Sequence, residues 1–321
     1  MGQILALRAL GLGDFLTGIP ALRALKRAFP QDRLLLAAPL SLDPLVRLSG
    51  AIDELIATPG LERPPALDAR EIEVAVNLHG RGPRSHRVLN ALAPRRLVGF
   101  ESEAGPTDAH SQWRADEHEV VRWCRLLGEA GIPADPADLE LLRPARPAPP
   151  WTHGATIVHP GAAAPARRWP AERFAAIARA ERQAGRRIVV TGGPAERDLA
   201  LRVAHAAGLP SDVVAAGRTD VSDLAALVAV ADRVLCGDTG ISHLATALGR
   251  PSLTLCGPVG PDRWGPPPAR VWHRTIWKGR SGDPHGRVPD PGLLAITVQE
   301  VLDELGKLPP PAPQVIRRFF R

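Results

Sequence analysis

The sequence predicts an α/β protein made of two domains, each built on a mostly parallel β-sheet. The chain has 321 residues, which is enough for two domains of about 150 residues. In both halves short apolar runs alternate with amphipathic stretches, a pattern typical of parallel strands joined by helices. A proline-rich segment interrupts this pattern near the middle of the chain, and the pattern then restarts.

The first domain is predicted to span residues 1–142. Its expected elements are strands at 4–9, 34–38 and 74–78 and helices at 15–28 and 117–130. In the second helix Val120, Val121 and Cys124 lie on the predicted apolar face. Small residues follow the predicted strands, and open α/β sheets bind ligands at these carboxyl ends.

Residues 143–152 are predicted to form a stiff linker, because their prolines can continue neither a helix nor a central strand. The second domain, residues 153–306, repeats the α/β pattern. Its expected elements are strands at 155–159, 187–191, 234–237 and 252–256 and helices at 173–183, 195–207, 222–230, 242–248 and 297–305. Ser222 is predicted to cap the third of these helices. Segment 260–291, rich in proline and glycine, is predicted to be an irregular loop, and residues 307–321 form a tail.

The composition argues against several classes of protein. The net charge of +6 and a pI near 10.1 suit an acidic partner such as phosphate, but a Lys/Arg-rich stripe typical of nucleic-acid binding is missing. The three cysteines include no Cys-x-x-Cys pair, which argues against a zinc ribbon and fits a reducing cytoplasm. No signal peptide and no membrane span are expected, so the prediction is a soluble, cytoplasmic protein. The basic aromatic end, 315–321, either contacts the inner membrane face peripherally or packs on the body.

The most informative segment is 237–243. A predicted strand delivers Asp238, after which Thr239 and Gly240 turn the chain into a helix. Free amides at a helix N-terminus, a threonine hydroxyl and the helix dipole together suit a diphosphate, with Asp238 placed to bind sugar hydroxyls. His243 would lie on the first turn and face the same anion. The alternative is that Asp238 or Thr239 merely caps the helix.

Two further donor-site candidates follow other strands of the second domain. Arg167 lies in a loop before a helix, where a cation can neutralise a leaving diphosphate without a metal. Alternatively, Arg167 and Arg168 are a solvated pair. Glu196 follows a Gly-Gly turn and could bind the two ribose hydroxyls. The competing interpretation of Glu196 is a carboxylate that serves the dipole of its own helix.

The first domain offers one candidate base. Gly11-Leu12-Gly13 follows the first strand but is not a dinucleotide fingerprint, because Leu16 occupies the third glycine position. Asp14 is expected at the carboxyl end of that strand, where it could act as general base on an acceptor hydroxyl or cap the following helix. His79 and His110 have no spaced partners that would indicate a metal site, although His79 ends a strand and could touch an acceptor.

Together these segments resemble glycosyltransferase family 9, the ADP-heptose:lipopolysaccharide heptosyltransferases. The likeness covers most of the chain and is carried by residues 4–8, 12–14, 17–25, 118–120, 159–161, 168–170, 237–245, 247–251 and 257–258. The Asp-Thr-Gly-x-x-His-Leu-Ala block from Asp238 is specific in this order and context. The individual glycine turns are not specific to this family.

The resemblance implies a GT-B fold, in which two Rossmann-like domains face each other across a cleft. It places the acceptor on the N-terminal domain and the nucleotide sugar on the C-terminal one. It also implies inverting, metal-independent transfer with no cofactor, ADP-heptose as the expected donor, and a glycan, glycolipid or small-molecule hydroxyl as acceptor. Lipopolysaccharide core is the family's usual target.

The resemblance also assigns roles to residues. Asp14 matches the family's proposed base, and Glu196 matches the carboxylate that binds ribose. Asp238 matches the residue that holds the donor sugar, and Thr239 and Gly240 match residues at the diphosphate.

At two places this chain departs from the family pattern. Arg167 stands where the best-studied members have a lysine, so the charge is kept but a planar fork replaces a point donor. Residues 162–164 are all alanine where those members carry hydroxyls, so contacts made by such hydroxyls must be missing.

Two other function classes remain open at this point. A sugar-nucleotide epimerase would need acid and base groups around the bound sugar, and would convert a nucleotide sugar without any acceptor. A non-catalytic nucleotide-sugar-binding protein would be favoured by loss of Asp14, which this chain retains.

Overall fold

The computed structural model describes residues 2–67, 72–103, 107 and 111–311. These residues form two compact units that divide in sequence between Leu142 and Arg143, where the proline-rich segment begins. His110 and the basic aromatic end, 315–321, lie outside the described residues, so the predictions made for them stay predictions.

The N-terminal unit is a parallel sheet of five described strands in the order β3-β2-β1-β4-β5. Its strands are β1 (Gln3–Leu7), β2 (Arg33–Ala38), β3 (Glu54–Ala57), β4 (Ile72–Asn77) and β5 (Arg96–Val98). Its helices are α1 (Leu12–Ala28), α2 (Asp43–Ser49), α3 (Arg84–Asn90) and α4 (Glu119–Glu129). The central strand β1 is buried along its whole length, and β2 and β4 are buried except at Arg33 and Glu73, which explains their largely apolar sequences.

The C-terminal unit repeats this design, with five described parallel strands in the order β10-β9-β8-β6-β7. Its strands are β6 (Thr156–His159), β7 (Ile188–Val190), β8 (Arg233–Gly237), β9 (Ser252–Leu255) and β10 (His273–Ile276). Its helices are α5 (Ala171–Gln183), α6 (Arg197–Ala206), α7 (Val221–Val230), α8 (Gly240–Ala247), α9 (Pro261–Trp264), α10 (Pro291–Leu294) and α11 (Val298–Gly306).

Both sheets reverse their strand order at one place. In the N-terminal unit the chain first builds outward from β1 through β2 to β3, and then returns to the other side of β1 with β4. In the C-terminal unit the same reversal separates β6 from β8. Ligands of open α/β sheets bind outside the carboxyl ends of the strands at such a point. The loops after β1, β4, β6 and β8 are therefore the expected ligand-binding loops.

Three short strands were not predicted from the sequence. β3 and β5 are four and three residues long and partly exposed, so they lack the long apolar run of the central strands. β10 lies inside segment 260–291, which we predicted to be irregular, and it pairs with β9 at the sheet edge. Only His273 of its four residues is buried, because an edge strand has one face and one side in solvent.

Two side-chain predictions were also wrong. Val121 is 42% exposed and does not belong to the apolar face of α4. Ser222 does not cap α7, because the helix begins one residue earlier and Asp220 accepts a hydrogen bond from the Asp223 amide at 2.7 Å. An aspartate and a serine are about equally good caps, so sequence alone does not separate the two positions.

Candidate functional site

The strand β8 leads directly into the N-terminus of α8. Thr239 is the N-cap residue of this helix, and its side chain makes no capping hydrogen bond among the described residues. Instead, the Thr239 carbonyl accepts hydrogen bonds from the Ser242 amide at 2.9 Å and the Ser242 hydroxyl at 2.7 Å. The interpretation of Thr239 as a side-chain cap is therefore wrong, and its hydroxyl stays beside the positive end of the helix dipole.

Asp238 lies between the end of β8 and this helix. Its amide donates to the Leu255 carbonyl at 3.2 Å, which extends the pairing with β9 and fixes the backbone. Burial raises the pKa of the Asp238 carboxyl to about 6, and the nearby Arg167 opposes this rise. A half-buried carboxylate of this kind lacks full solvation until a polar ligand reaches it.

Because the ionised Asp238 carboxylate is incompletely solvated, we expect the Asp238→Asn substitution to stabilise the protein. Because the folded pKa of about 6 exceeds the ordinary 3.8, the wild-type group favours folding when protonated and loses that contribution as pH rises through about 6. The asparagine variant has no such loss. We expect its free energy of unfolding to exceed the wild-type value by about 1–3 kcal/mol at about pH 7.5.

Urea unfolding of the full chain measures this difference. It should shrink as pH falls toward about 5, where the wild-type carboxyl becomes neutral. Asp212→Asn, at an exposed position of the same unit, is the control and should change little. If the variant had a lower free energy of unfolding than the wild type at both pH values, burial of the ionised Asp238 carboxylate would not be destabilising.

Arg167 is brought to Asp238 by the loop after β6. It ends a short 3₁₀ turn, Pro165–Arg167, and its Nη1 lies 3.4 Å from the Asp238 carbonyl. Its Nε is buried and has no hydrogen-bond partner among the described residues. A Cβ on Gly237 would lie 2.9 Å from the Arg167 carbonyl, so the close approach of the two segments requires glycine.

The neighbouring arginine has a different role. Arg168 donates from Nε to the Ala162 carbonyl at 2.8 Å and so holds the alanine loop in place. The predicted alternative of a solvated pair is therefore wrong, because the two side chains have separate contacts.

Glu196 lies over the end of β6. Its carboxylate accepts a hydrogen bond from the Gly193 amide at 2.7 Å, so it does cap its own turn. A Cβ on Gly161, however, would lie 2.2 Å from the carboxyl carbon, which places the group at the carboxyl edge of the sheet. His159 is 3.9 Å away and is bound to Thr191 at 3.0 Å. Burial lowers the pKa of His159, although Glu196 opposes this, so we expect a neutral ring.

Gly161→Ala should displace this carboxylate without unfolding the protein. The methyl group would collide with the end of a flexible side chain, which can move, and Gly161 lies in an ordinary backbone region. We expect ADP affinity to fall about tenfold, a loss of about 1.4 kcal/mol, and the melting temperature to change little. Calorimetric titration checks this, with Glu172→Gln on the exposed first turn of α5 as control. Unchanged ADP affinity would place the ribose away from Glu196.

His243 lies on the first turn of α8, as predicted. Its ring packs edge-on against Trp264, with ring centroids 5.8 Å apart. Trp264 belongs to α9 in segment 260–291, and sequence reasoning missed it. The same segment also holds the loop that carries Arg167. The Ala166 amide donates to the Gly286 carbonyl at 3.1 Å, and the Ala166 carbonyl accepts from the Asp290 amide at 3.1 Å.

In the N-terminal unit Asp14 is the third residue of α1, whose N-cap is Gly11. Asp14 is therefore not the helix cap that we considered. Its side chain is 30% exposed, and its Oδ1 lies 4.0 Å from Nη2 of Arg8. Burial raises the pKa of Asp14; Glu119 raises it further, while Arg8 and hydrogen bonds from the Gly11 and Asp14 backbone oppose the rise. The result is a reachable carboxylate that is a better base than a free aspartate.

His79 lies at the same sheet edge, in the loop after β4. Its amide donates to Oδ1 of Asn77 at 3.0 Å, and its Nδ1 is buried without a hydrogen-bond partner among the described residues. Burial and the positive charges of Arg8 and Arg84 lower the pKa of His79 to about 4. The imidazole is therefore neutral near pH 7 and can donate or accept one hydrogen bond from each nitrogen.

Arg8 and Glu119 lie in two of the segments that carry the family resemblance, but sequence reasoning assigned neither of them a role. Arg8 follows β1 and is completely buried, and Glu119 begins α4. The signal available in the sequence was a charged residue directly after an apolar strand. Their pairing joins positions 111 residues apart, and no local pattern predicts such a contact.

The described residues contain no group of three or more His, Cys, Asp and Glu side chains that could hold a metal ion. The three cysteines are buried and unbridged, and burial raises the pKa of Cys124 and Cys236 to about 12. They are therefore thiols that pack in the interior and not nucleophiles.

Comparison with known proteins shows what this arrangement is similar to. Residues 105–281, more than half of the chain, match the model of glycosyltransferase family 9 (heptosyltransferase). The chain belongs to this family. It is a heptosyltransferase-family glycosyltransferase, and the matched range includes Arg167, Glu196 and Asp238.

Solved structures share the fold of this family 9 chain over nearly its whole length. E. coli ADP-heptose LPS heptosyltransferase II has a TM-score of 0.74 at 22% identity, covering 95% of this chain and 97% of that one. A family 9 glycosyl transferase from Veillonella parvula has 0.74 at 19%, covering 94% and 95%. E. coli heptosyltransferase WaaC with ADP has 0.70 at 19%, covering 95% and 99%. The predicted fold class of two parallel α/β domains is confirmed.

A sequence search of curated proteins found no match. Every helix in the described part of the chain is too short or too polar to cross a membrane.

Proposed function

We propose that this family 9 glycosyltransferase is an inverting, metal-independent enzyme that moves a sugar from a nucleoside diphosphate to a hydroxyl group. The favoured donor is ADP-heptose, and the acceptor is a glycan, glycolipid or small molecule. One observation carries the proposal: Arg167, Asp238 and the N-terminus of α8 meet at one place on the C-terminal sheet edge. The relative that was solved with ADP supports an adenine nucleotide.

The donor would bind along the edge formed by β6 and β8. Its diphosphate would lie against Thr239 and Gly240 at the N-terminus of α8, where amides and the helix dipole favour an anion. The half-buried Asp238 would accept hydrogen bonds from the sugar hydroxyls, which supply the solvation that it lacks in the free protein. Glu196, over the end of β6, would accept from the ribose. His243, held by Trp264, would face the outer side of the diphosphate.

Arg167 is the residue on which departure of the diphosphate depends most in this proposal. Residues 162–164 are alanines and offer no hydroxyls to the phosphates. A guanidinium fork can bind oxygens of both phosphoryl groups through donors held in one plane, a fixed geometry that a lysine ammonium does not have. The Nε of Arg167 has no hydrogen-bond partner among the described residues, so the guanidinium keeps an unused donor in the free protein.

The chemical step would be a single displacement. The Asp14 carboxylate takes the proton of the acceptor hydroxyl while the oxygen attacks the anomeric carbon. The bond between that carbon and the diphosphate oxygen breaks at the same time, and the electron pair leaves with the nucleoside diphosphate. Arg167 and the α8 amides stabilise the developing negative charge. Attack opposite to the leaving group inverts the anomeric centre.

The roles of the two units are part of the proposal. Residues 1–142 would bind the acceptor, residues 153–306 the donor, and residues 143–152 would link them, with a tail at 307–321. Transfer then requires acceptor and donor to be bound at the same time. We further propose a cytoplasmic reaction with peripheral contact of the tail at the inner membrane face, which cell fractionation of full-length and truncated protein would test.

A panel of ADP-, UDP- and GDP-sugars tests the proposed function. We expect ADP-sugars to stabilise the protein against heat most strongly, because ligand binding to the native state raises the melting temperature. Incubation with the bound nucleotide sugar alone should leave its sugar unchanged, and addition of an acceptor extract should release ADP. Isomerised sugar without acceptor would instead support an epimerase. Stabilisation by UDP- or GDP-sugars alone would contradict the ADP assignment.

A further inference from the structure

We propose that Glu119 and Arg8 are positioning residues for Asp14: Glu119 holds the Arg8 guanidinium, which keeps the Asp14 carboxylate available to take the acceptor proton. This inference rests on the proposed function in one respect, namely that Asp14 is the base. The pair itself is a feature of the N-terminal unit.

The orientation of Arg8 is fixed by contacts on all sides of its guanidinium. Nε donates to the Asp14 carbonyl, and Nη1 donates to the Leu78 carbonyl after β4. Nη2 donates to the Thr17 hydroxyl at 3.0 Å and to Oε1 of Glu119 at 3.0 Å. The Asp14 carboxylate is left at 4.0 Å from Nη2, beyond hydrogen-bond distance. Arg8 therefore holds the backbone of Asp14 directly and its carboxylate only through space.

Glu119 is held as firmly as Arg8. It is buried and accepts hydrogen bonds from Arg8, from Arg122 on the next turn of α4, and from Nε1 of Trp123 at 2.8 Å. The Trp123 ring also faces the Arg8 guanidinium, with the ring centroid 4.9 Å from its central carbon. Although burial works against it, Arg8 and Arg122 lower the pKa of Glu119, so this carboxyl stays ionised.

Glu119 belongs to a cluster with Arg8, Arg122 and Asp14, and the net charge of this cluster depends on Glu119. Two arginines, Arg8 and Arg122, face two carboxylates, Glu119 and Asp14, so the ionised cluster is neutral. A buried cation with no other counter-ion, about 4 Å from Asp14, would strongly favour the carboxylate form and make it a poor base. Glu119 takes the closer position and supplies the competing negative charge.

The neighbouring groups agree with this interpretation. Among the described residues of the N-terminal unit, the charged and titratable side chains around Asp14 are Arg8 after β1, Glu119 and Arg122 of α4, and His79 after β4, on which Arg84 of α3 also acts. His79 is neutral near pH 7, so it adds no charge. In the wild-type protein burial and Glu119 together raise the pKa of Asp14 against the opposing effect of Arg8.

Two substitutions should shift the titration of Asp14 in opposite directions. Glu119→Gln leaves Arg8 with Asp14 as its remaining carboxylate neighbour, so the Asp14 midpoint should fall by about 1 pH unit. Arg8→Met removes the cation, so the midpoint should rise by about 1 pH unit. The measurement is ¹³C-carboxyl NMR of aspartate-labelled full-length chain, with the Asp14 resonance identified by its loss in Asp14→Asn. A purely structural role would not produce opposite signs.

Glu117→Gln is the matched control. It removes a carboxylate just before α4 that is paired with Arg125 at 2.7 Å and has no contact with Arg8 or Asp14 among the described residues. The Asp14 midpoint should stay unchanged in this variant. If Glu119→Gln does not fold, the Arg8→Met variant alone tests the proposal. A lower or unchanged Asp14 midpoint in Arg8→Met then overturns it.

Failure of this inference and failure of the proposed function can be told apart. An Asp14→Asn variant that still transfers sugar would overturn Asp14 as the base, and with it the purpose assigned to the pair. An inactive Asp14→Asn variant together with unchanged Asp14 midpoints in Glu119→Gln and Arg8→Met would overturn only the inference about Glu119 and Arg8.

Discussion

Asp14→Asn should lower kcat for sugar transfer by about 10²- to 10⁴-fold, the usual contribution of a general base, and leave ADP affinity unchanged. Asparagine keeps the size of the side chain at the third position of α1 but cannot take a proton. The proposed donor residues Arg167, Glu196 and Asp238 belong to the other unit, so we expect nucleotide binding to be independent of Asp14. Release of ADP measures kcat, and calorimetric titration measures the affinity.

Asp43→Asn is the control for this experiment. Asp43 also lies in the first turn of a helix in the N-terminal unit, where it pairs with Arg47 at 2.9 Å at the protein surface. Transfer by this variant should match the wild type. Transfer retained in Asp14→Asn at more than about a tenth of the wild-type rate would show that another group takes the proton.

Arg167→Ala should have the second largest effect. We expect kcat to fall by about 10²- to 10³-fold, as for loss of one oxyanion donor, and ADP affinity to fall as well. The effect should be large because the alanines at 162–164 leave the phosphates without hydroxyl donors from that loop. Arg167→Lys should recover only part of the loss, since it restores the charge but not the fork.

Arg182→Ala controls for the loss of a positive charge from the donor unit. Arg182 lies in the last turn of α5, at the end of the helix away from the site, and its side chain is bound to the Gly208 carbonyl. The kcat and the ADP affinity of the Arg182→Ala variant should equal those of the wild type. Full recovery of kcat in Arg167→Lys would contradict a requirement for the planar guanidinium fork and leave only a requirement for charge.

The sequence was sufficient to predict the fold class and the position of the candidate donor residues at the ends of strands. β1, β6 and β8 are largely buried, mostly apolar runs that are followed by Arg8, by Pro160-Gly161 and by Asp238, and this pattern is typical of a central parallel strand. Asp238 and Arg167 follow two strands that turned out to be neighbours at the point where strand order reverses. Their meeting could thus be expected once the strands were recognised.

Contacts between distant parts of the chain could not be predicted in the same way. Glu196 reaches Gly161 across 35 positions in sequence, and the clue is a glycine whose missing side chain leaves room for a carboxylate. The pairing of Arg8 with Glu119, and of segment 260–291 with Ala166, depends on tertiary packing that leaves no periodic signal. β10 was missed for a related reason, since an edge strand needs no apolar run.

A crystal structure of the full chain with ADP would test the donor site most directly. The predicted result is a diphosphate at the N-terminus of α8, with oxygens about 2.7–3.2 Å from the backbone amides there and from the Arg167 guanidinium. The ribose hydroxyls should lie at the same distance from the Glu196 carboxylate. A diphosphate bound away from Gly240 and Arg167, or a ribose that does not contact Glu196, would contradict the proposed donor site.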